Sequence, residues 1–292
     1  MVERAFQTFK GAVKAVLPGA VVGFIHRQVS ERLARRFSNK IEPIQLDGFV
    51  VFSERFSATS DQLRAQRSWE APVVGALARE LRRHGDPALL DIGANIGLVS
   101  LPLLALLPKL RVTAFEPGRY QRKLLAHNLR ANRWTRRVDV HSCALGERAG
   151  AARFFSHERL DATGLDGLAD TRRIPDAVHT TTVRIDTLDA WWKRSGRPVI
   201  HAAKIDTEGS ELLVLRGAEE ILRSSRPMLL LEISRANLMS YEFSAHDLLA
   251  WLQAHDYRLE NLAGQTIHAN SLDAALDKND NFVARPGASS AP

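Results

Sequence analysis

Four carboxylates, Asp91, Glu116, Asp206 and Glu232, each close a short apolar run that reads as a buried strand. In a sheet of parallel strands joined by crossover helices, ligands bind beyond the carboxyl ends of the strands, where strand order reverses. Acids at four such ends would crowd one rim. Asp91, just before a glycine turn, suits a cationic or hydroxyl-bearing ligand better than a phosphate, whose charge it would repel.

The stretch Leu89–Leu101, LLDIGANIGLVSL, passes abruptly from an apolar run into an acid, two glycines and an asparagine. Gly93 lets the backbone turn sharply and lets a ligand approach the main chain. Gly97 removes a side chain where the next helix must pack closely. A dinucleotide loop carries a second glycine where this chain has Asn95, so pyrophosphate is disfavoured. Glu116, in AFEP, is biased away from helix by Pro117, and a carboxylate there can accept both hydroxyls of an adenosine ribose. Together these residues describe a pocket for an adenosine without phosphates, and S-adenosylmethionine fits that description.

A third constellation is KIDTEGSELLVLRGAEEIL, Lys204–Leu222. Lys204 and Asp206 place charges in an otherwise apolar strand, which is costly unless they are paired or used. Glu208 and Glu211 open a helix, whose dipole favours negative charge there; for Glu211, simple capping is an equal reading. A base at Asp206 or Glu208 could take the proton of an acceptor hydroxyl, with Lys204 orienting that carboxylate or lowering its pKa. Asp206, Glu208 and Glu232 offer hard oxygens that magnesium could use, but no metal site is assigned. His201, His246 and His255 lack the close pairing of a zinc motif.

The elements that must hold these residues follow from periodicity. Asp47-Gly48 between apolar runs predicts a hairpin over 41–52. From Asp61 the pattern predicts a helix over 62–83, a strand over 88–91, a helix over 96–107, a strand over 111–116, a helix over 119–132 and a strand over 138–143. Beyond Gly146 it predicts an edge strand over 152–155, a polar loop over 156–177, a strand over 181–185 and a helix capped by Asp189. A strand over 199–206, a helix over 210–224, a strand over 228–233 and a helix over 245–255 follow. Such alternation implies an α/β fold with a doubly wound, mostly parallel sheet and helices on both faces. Residues 1–38 read as one or two helices broken at Pro18-Gly19. The expected organisation is a helical and hairpin extension over 1–60, one α/β domain over 61–286 and a disordered tail over 287–292.

Bulk properties narrow the class. A length of 292 residues with 45% hydrophobic content suits one α/β domain with an extension. The lone cysteine, Cys143, excludes an internal disulfide framework and points to a reducing compartment, the cytoplasm. The net charge is +7 and the pI about 9.9. Arginine-rich chains reach this balance without a nucleic-acid partner, and the basic run Arg119–Arg137 spaces its cations as the solvated face of an amphipathic helix. No run reaches the roughly 18 apolar residues of a membrane span. Glu3, Lys14 and Pro18 argue against a secretory signal. Arg27, Arg32, Arg35 and Arg36 would let the N-terminal helices make peripheral contact with an anionic membrane.

The order DIGANIGL, AFEP, Asn128, ALGE, TLD, KIDTEGSELLVLRGA and DNFVAR resembles the FkbM family of S-adenosylmethionine-dependent methyltransferases over roughly Trp69 to Arg285. The resemblance implies a class I methyltransferase fold, S-adenosylmethionine as cofactor, and methylation of a hydroxyl oxygen on a sugar or natural product. It further implies that Asp91, Gly93, Asn95 and Gly97 line the cofactor's methionine side, that Glu116 takes the ribose and that Ala144 borders the adenine. Glu70, in SWE, matches a family glutamate that reaches toward the cofactor. Residues 156–177 correspond to the family's variable, substrate-facing region, and residues 1–60 match nothing in it.

Two rival readings keep the fold but change the role. An RNA methyltransferase would explain the basic balance, yet TEG follows Asp206 where base-modifying enzymes carry an Asn/Asp-Pro-Pro-aromatic run, and no RNA-binding module is evident. A non-catalytic scaffold predicts damaged motifs, whereas every motif position holds a chemically competent residue.

Overall fold

The computed structural model describes residues 41–55, 57–157, 166–169 and 178–287. The helices expected over 1–38, most of the loop expected over 156–177 and the tail after Gly287 lie outside the described residues. The hairpin forms where Asp47-Gly48 predicts it. Strands β1 (Ile41–Leu46) and β2 (Phe49–Glu54) pair antiparallel, and Gly48 takes the positive φ, +85°, that the turn requires.

Helices α1 (Ala58–Gln66) and α2 (Ala71–Leu81) replace the single helix expected over 62–83. Arg67 and Glu70 both adopt left-handed backbone, and Pro72, which lacks an N–H, sits at the start of α2, where that donor is not needed. There follow β3 (Ala88–Ile92), α3 (Ser100–Leu106), β4 (Arg111–Phe115), α4 (Arg119–Ala131) and β5 (Val138–His141). Strands β6 (Ala144–Leu145), β7 (Gly150–His157) and β8 (Val178–Asp186) form a small separate sheet.

The second half contains α5 (Leu188–Arg194), β9 (Ala202–Ile205), α6 (Glu211–Arg216), α7 (Glu219–Ser225), β10 (Met228–Glu232) and α8 (Arg235–Leu238). It ends with α9 (Ala245–Ala254), β11 (Tyr257–Asn261), α10 (Leu272–Leu276) and β12 (Asn281–Pro286). The helix expected over 210–224 is also two. Gly217 divides it, lying so close to the backbone of Gly146 that a side chain would collide with that carbonyl.

The main sheet runs β5-β4-β3-β9-β10-β12-β11, parallel from β5 to β10, with β12 antiparallel to both its neighbours. The chain leaves β3 toward β4 and β5, then returns to the other side of β3 at β9. Strand order therefore reverses between β3 and β9, where Asp91 stands opposite Lys204. Alternation along the strands builds two cores. Leu89 packs with Leu77, Leu101 and Leu125 on one face, and Leu90 with Trp191, Leu215 and Leu248 on the other. Among the described residues no helix is long and apolar enough to cross a membrane.

Asp189 does not cap its own helix. Thr187 does, its hydroxyl accepting from the Ala190 N–H at 3.1 Å. The Asp189 carboxylate reaches across to α7 and accepts from the N–H groups of Glu220 and Ile221, each at 2.9 Å. It supplies the acceptors that Ala218, at the N-cap of α7, cannot. Asp189→Ala should therefore cost about 1–2 kcal/mol of stability, read as a lower urea midpoint with an unchanged slope; an unchanged midpoint would show the cap to be idle.

Candidate active site

The first wall is the turn after β3. Gly93 has φ +81°, and a side chain there would strike the carbonyl of Asp206, so the β3 and β9 ends meet only because this residue is glycine. Asn95 is left-handed at φ +49°, and its N–H donates to Glu116 Oε2 at 2.7 Å. The Gly118 N–H donates to Glu116 Oε1 at the same distance. Burial pushes the Glu116 carboxyl up to about 7, against the pull of these two donors and with a further push from Asp166. Gly97 faces the other way, packing against Leu125 and Leu101 rather than lining the cleft.

The centre of the site is Lys204, 5% exposed. Its Nζ donates to Asp206 Oδ2 at 2.7 Å. Burial opposes its charge, but the carboxylates of Asp206, Asp91 and Glu70 together outweigh that and hold the ammonium above the usual lysine range. Asp91 is fully buried. Its Oδ2 accepts from Ser100 Oγ at 2.5 Å, while Oδ1 has no hydrogen-bond partner among the described residues. Burial raises the Asp91 carboxyl despite Lys204 and Ser100, and burial likewise raises Glu70, which carries left-handed backbone at the start of α2.

Beyond Lys204, Asp206, Glu208 and Glu232 each bring one carboxylate oxygen within 4.8 Å of the others, an arrangement that could hold a metal ion. A divalent cation or a shared proton would each neutralise such a group. The charge of Asp206, then burial, then the charge of Glu208 push the Glu232 carboxyl well above the usual carboxylate range, and it hydrogen-bonds to Asp206. Asn237 Nδ2 donates to Glu208 Oε2 at 2.8 Å and lies 3.5 Å from Glu232 Oε2.

Glu211 serves the turn. Its Oε1 accepts from the Thr207 N–H (2.8 Å), Thr207 Oγ1 (3.0 Å) and the Gly209 N–H (3.2 Å), which fixes the left-handed Glu208 between them at φ +56°. Gly209, at φ +103°, leaves room for the Asn237 carbonyl and the Tyr241 ring.

Of the residues singled out in the sequence, Gly93, Glu116, Ala144 and Asp206 line one cleft. Asp91, Lys204 and Glu70 lie behind it as its charged support. Two participants were not legible as site residues. Asn237 has no motif around it. Asp166 lines the cleft near Glu116 and accepts from Gln121 Nε2 at 2.5 Å, although it comes from the stretch expected to face the acceptor. Glu232 was visible as a strand-end acid, but its hydrogen bond to Asp206 depends on the register that sets Leu231 beside Ile205.

Burial lifts Glu211 from 4.5 to about 7. A raised carboxyl contributes stability fully present below about pH 4.5 and lost as pH rises through 7. Glu211→Gln keeps the accepting Oε1 and removes the titration. It should match the wild type near pH 5 and exceed it by on the order of 2 kcal/mol at pH 8 in urea unfolding. Parallel pH profiles would show that Glu211 ionises normally.

A family model described as Methyltransferase FkbM domain matches residues 91–259, more than half of the chain. The 31-O-demethyl-FK506 methyltransferase FkbM of Streptomyces tacrolimicus is 30% identical over 165 residues, 47% of this chain and 61% of that protein. The AMB antimetabolite synthetase AmbE of Pseudomonas aeruginosa is 25% identical over 236 residues, 69% of this chain and 11% of that protein. The chain thus spans less than two thirds of the length of either relative. A solved methyltransferase FkbM from Methylobacillus flagellatus KT is similar at 19% identity and a TM-score of 0.43, over 77% of this chain and 60% of that one. With that family model covering the strand-end turn at Asp91, Glu116 and the Lys204–Asp206 pair, the chain belongs to the FkbM methyltransferase family.

Proposed function

We propose that this methyltransferase uses S-adenosylmethionine and methylates a hydroxyl oxygen of a sugar or small natural product. The observation that carries the reading is the charge at the centre of the site: three carboxylates, Glu70, Asp91 and Asp206, surround one ammonium, and Asp91 Oδ1 is buried without a hydrogen-bond partner among the described residues. That surplus suits a ligand with a cationic group and is hostile to phosphate. The residues fit the cofactor. Asp91 and Glu70 offer negative charge to its ammonium, each oxygen of Glu116 has a lone pair left for a ribose hydroxyl, and Ala144 borders the adenine side. When bound, the cofactor supplies an electrophilic methyl group on its sulfonium.

The protein's own contribution is to position an acceptor oxygen and take its proton. Of the three clustered acids only Asp206 lines the cleft, which favours it over Glu208 as the base. Lys204 and Glu232, whose carboxyl is raised by its neighbours, each hydrogen-bond to Asp206. Glu208, held by Asn237, would border the acceptor. The Streptomyces relative is named for methylation at an oxygen of FK506, which supports an oxygen acceptor here.

The test is transfer of labelled methyl from S-adenosylmethionine to a panel of sugar and natural-product hydroxyls. Asp206→Asn should lower turnover by a factor of about 10² to 10⁴ while calorimetry finds cofactor affinity nearly intact. Loss of both would assign Asp206 to cofactor binding, and transfer to tRNA in preference to every small acceptor would overturn the acceptor class.

A further inference from the structure

On α4, Asn128 and Asn132 lie one helical turn apart, and both side chains address the edge of β2 that faces away from β1. Asn132 Oδ1 accepts from the Val50 N–H at 2.9 Å and its Nδ2 donates to the Val50 carbonyl at 2.7 Å. Asn128 Oδ1 accepts from the Phe52 N–H at 2.7 Å and its Nδ2 donates to the Phe52 carbonyl at 3.2 Å. The geometry has a simple origin. Four residues of helix rise about 6 Å, close to the roughly 6.8 Å spanned by two residues of strand. Two carboxamides at that spacing therefore act as the next strand for an otherwise open edge.

The two differ in their remaining contacts: Asn132 Nδ2 turns back to the Asn128 carbonyl at 2.8 Å, whereas Asn128 reaches out of the helix. Fully buried, it also donates to the carbonyl of Ile96 at 3.0 Å, inside the turn that carries the cofactor-wall residues. Ile96 follows the left-handed Asn95, whose N–H holds Glu116. A left-handed asparagine persists only where its neighbours fix it, and the Asn128 carboxamide is one such constraint.

We propose that Asn128 is a positioning residue for the cofactor turn, coupling the β1–β2 hairpin to Asn95 and Glu116, whereas Asn132 only docks the hairpin. The inference rests on the reading that this site binds S-adenosylmethionine. Coupling between sites is reciprocal, so a ligand that steadies the turn must also steady the hairpin, although no hairpin residue lines the cleft.

Hydrogen exchange on the wild-type chain, with and without saturating S-adenosylmethionine, tests this directly. The hairpin amides of residues 49–54 should exchange several-fold more slowly with the cofactor present. Asn128→Ala should raise the calorimetric Kd for S-adenosylmethionine about tenfold, while Asn132→Ala lowers the thermal midpoint and leaves that Kd near the wild-type value. Cofactor binding with unchanged hairpin exchange, or equal Kd shifts in the two variants, would overturn the inference alone. A wild-type chain that binds no S-adenosylmethionine would overturn both the inference and the reading beneath it.

Discussion

The site depends on one buried ammonium. Lys204 sits in the middle of the sheet, where an unpaired charge would cost several kcal/mol, and three carboxylates from three segments converge on it. Two are placed by strand geometry alone. Asp91 is its register partner on β3, and Asp206 follows two residues later, on the same face as Lys204. The third, Glu70, is brought in by the break between α1 and α2. The arrangement ties the two strands at the point where their order reverses, and it sets more carboxylates than cations directly behind the cleft.

Around that centre the backbone is held in conformations that ordinary residues avoid. Glu70, Asn95 and Glu208 are all left-handed without being glycine, at an expected cost of order 1 kcal/mol each. Each is fixed by neighbours. Asn95 is held through the Glu116 carboxylate and Glu208 through the Glu211 clamp on either side of it, while Glu70 opens the proline-started α2. Gly93 and Gly209 serve the opposite need, since close backbone approach leaves no room for a side chain at either position. Left-handed backbone also occurs at Arg67, Arg133, Arg197, Arg226 and Asp256, which end helices or lie in turns, and none of it falls within a strand.

Much of this was legible in the sequence. The parallel strands are buried on both faces, so they appear as apolar runs, and the acids that end them mark the rim without further information. The DIGANIG turn and Glu116 fall where that patterning puts them, joined by the hydrogen bond from the Asn95 N–H to the carboxylate. Helix breaks were harder. Pro72 signals the one before α2, but Gly217 breaks its helix because of a distant carbonyl. The target of Asp189, the docking of Asn237 on Glu208 and the hydrogen bond between Glu232 and Asp206 were illegible for one reason. Each depends on which segments the fold brings side by side, and periodicity along the chain carries no record of that.

The central claim is that the cleft is built for an adenosine bearing positive charge and no phosphate. Calorimetric titration of the chain with S-adenosylmethionine, adenosine and ATP under identical conditions tests it most directly. The account predicts binding in the order S-adenosylmethionine, then adenosine, with ATP undetectable because Asp91, Glu70 and Asp206 repel its phosphates. ATP binding as tight as that of S-adenosylmethionine would contradict it.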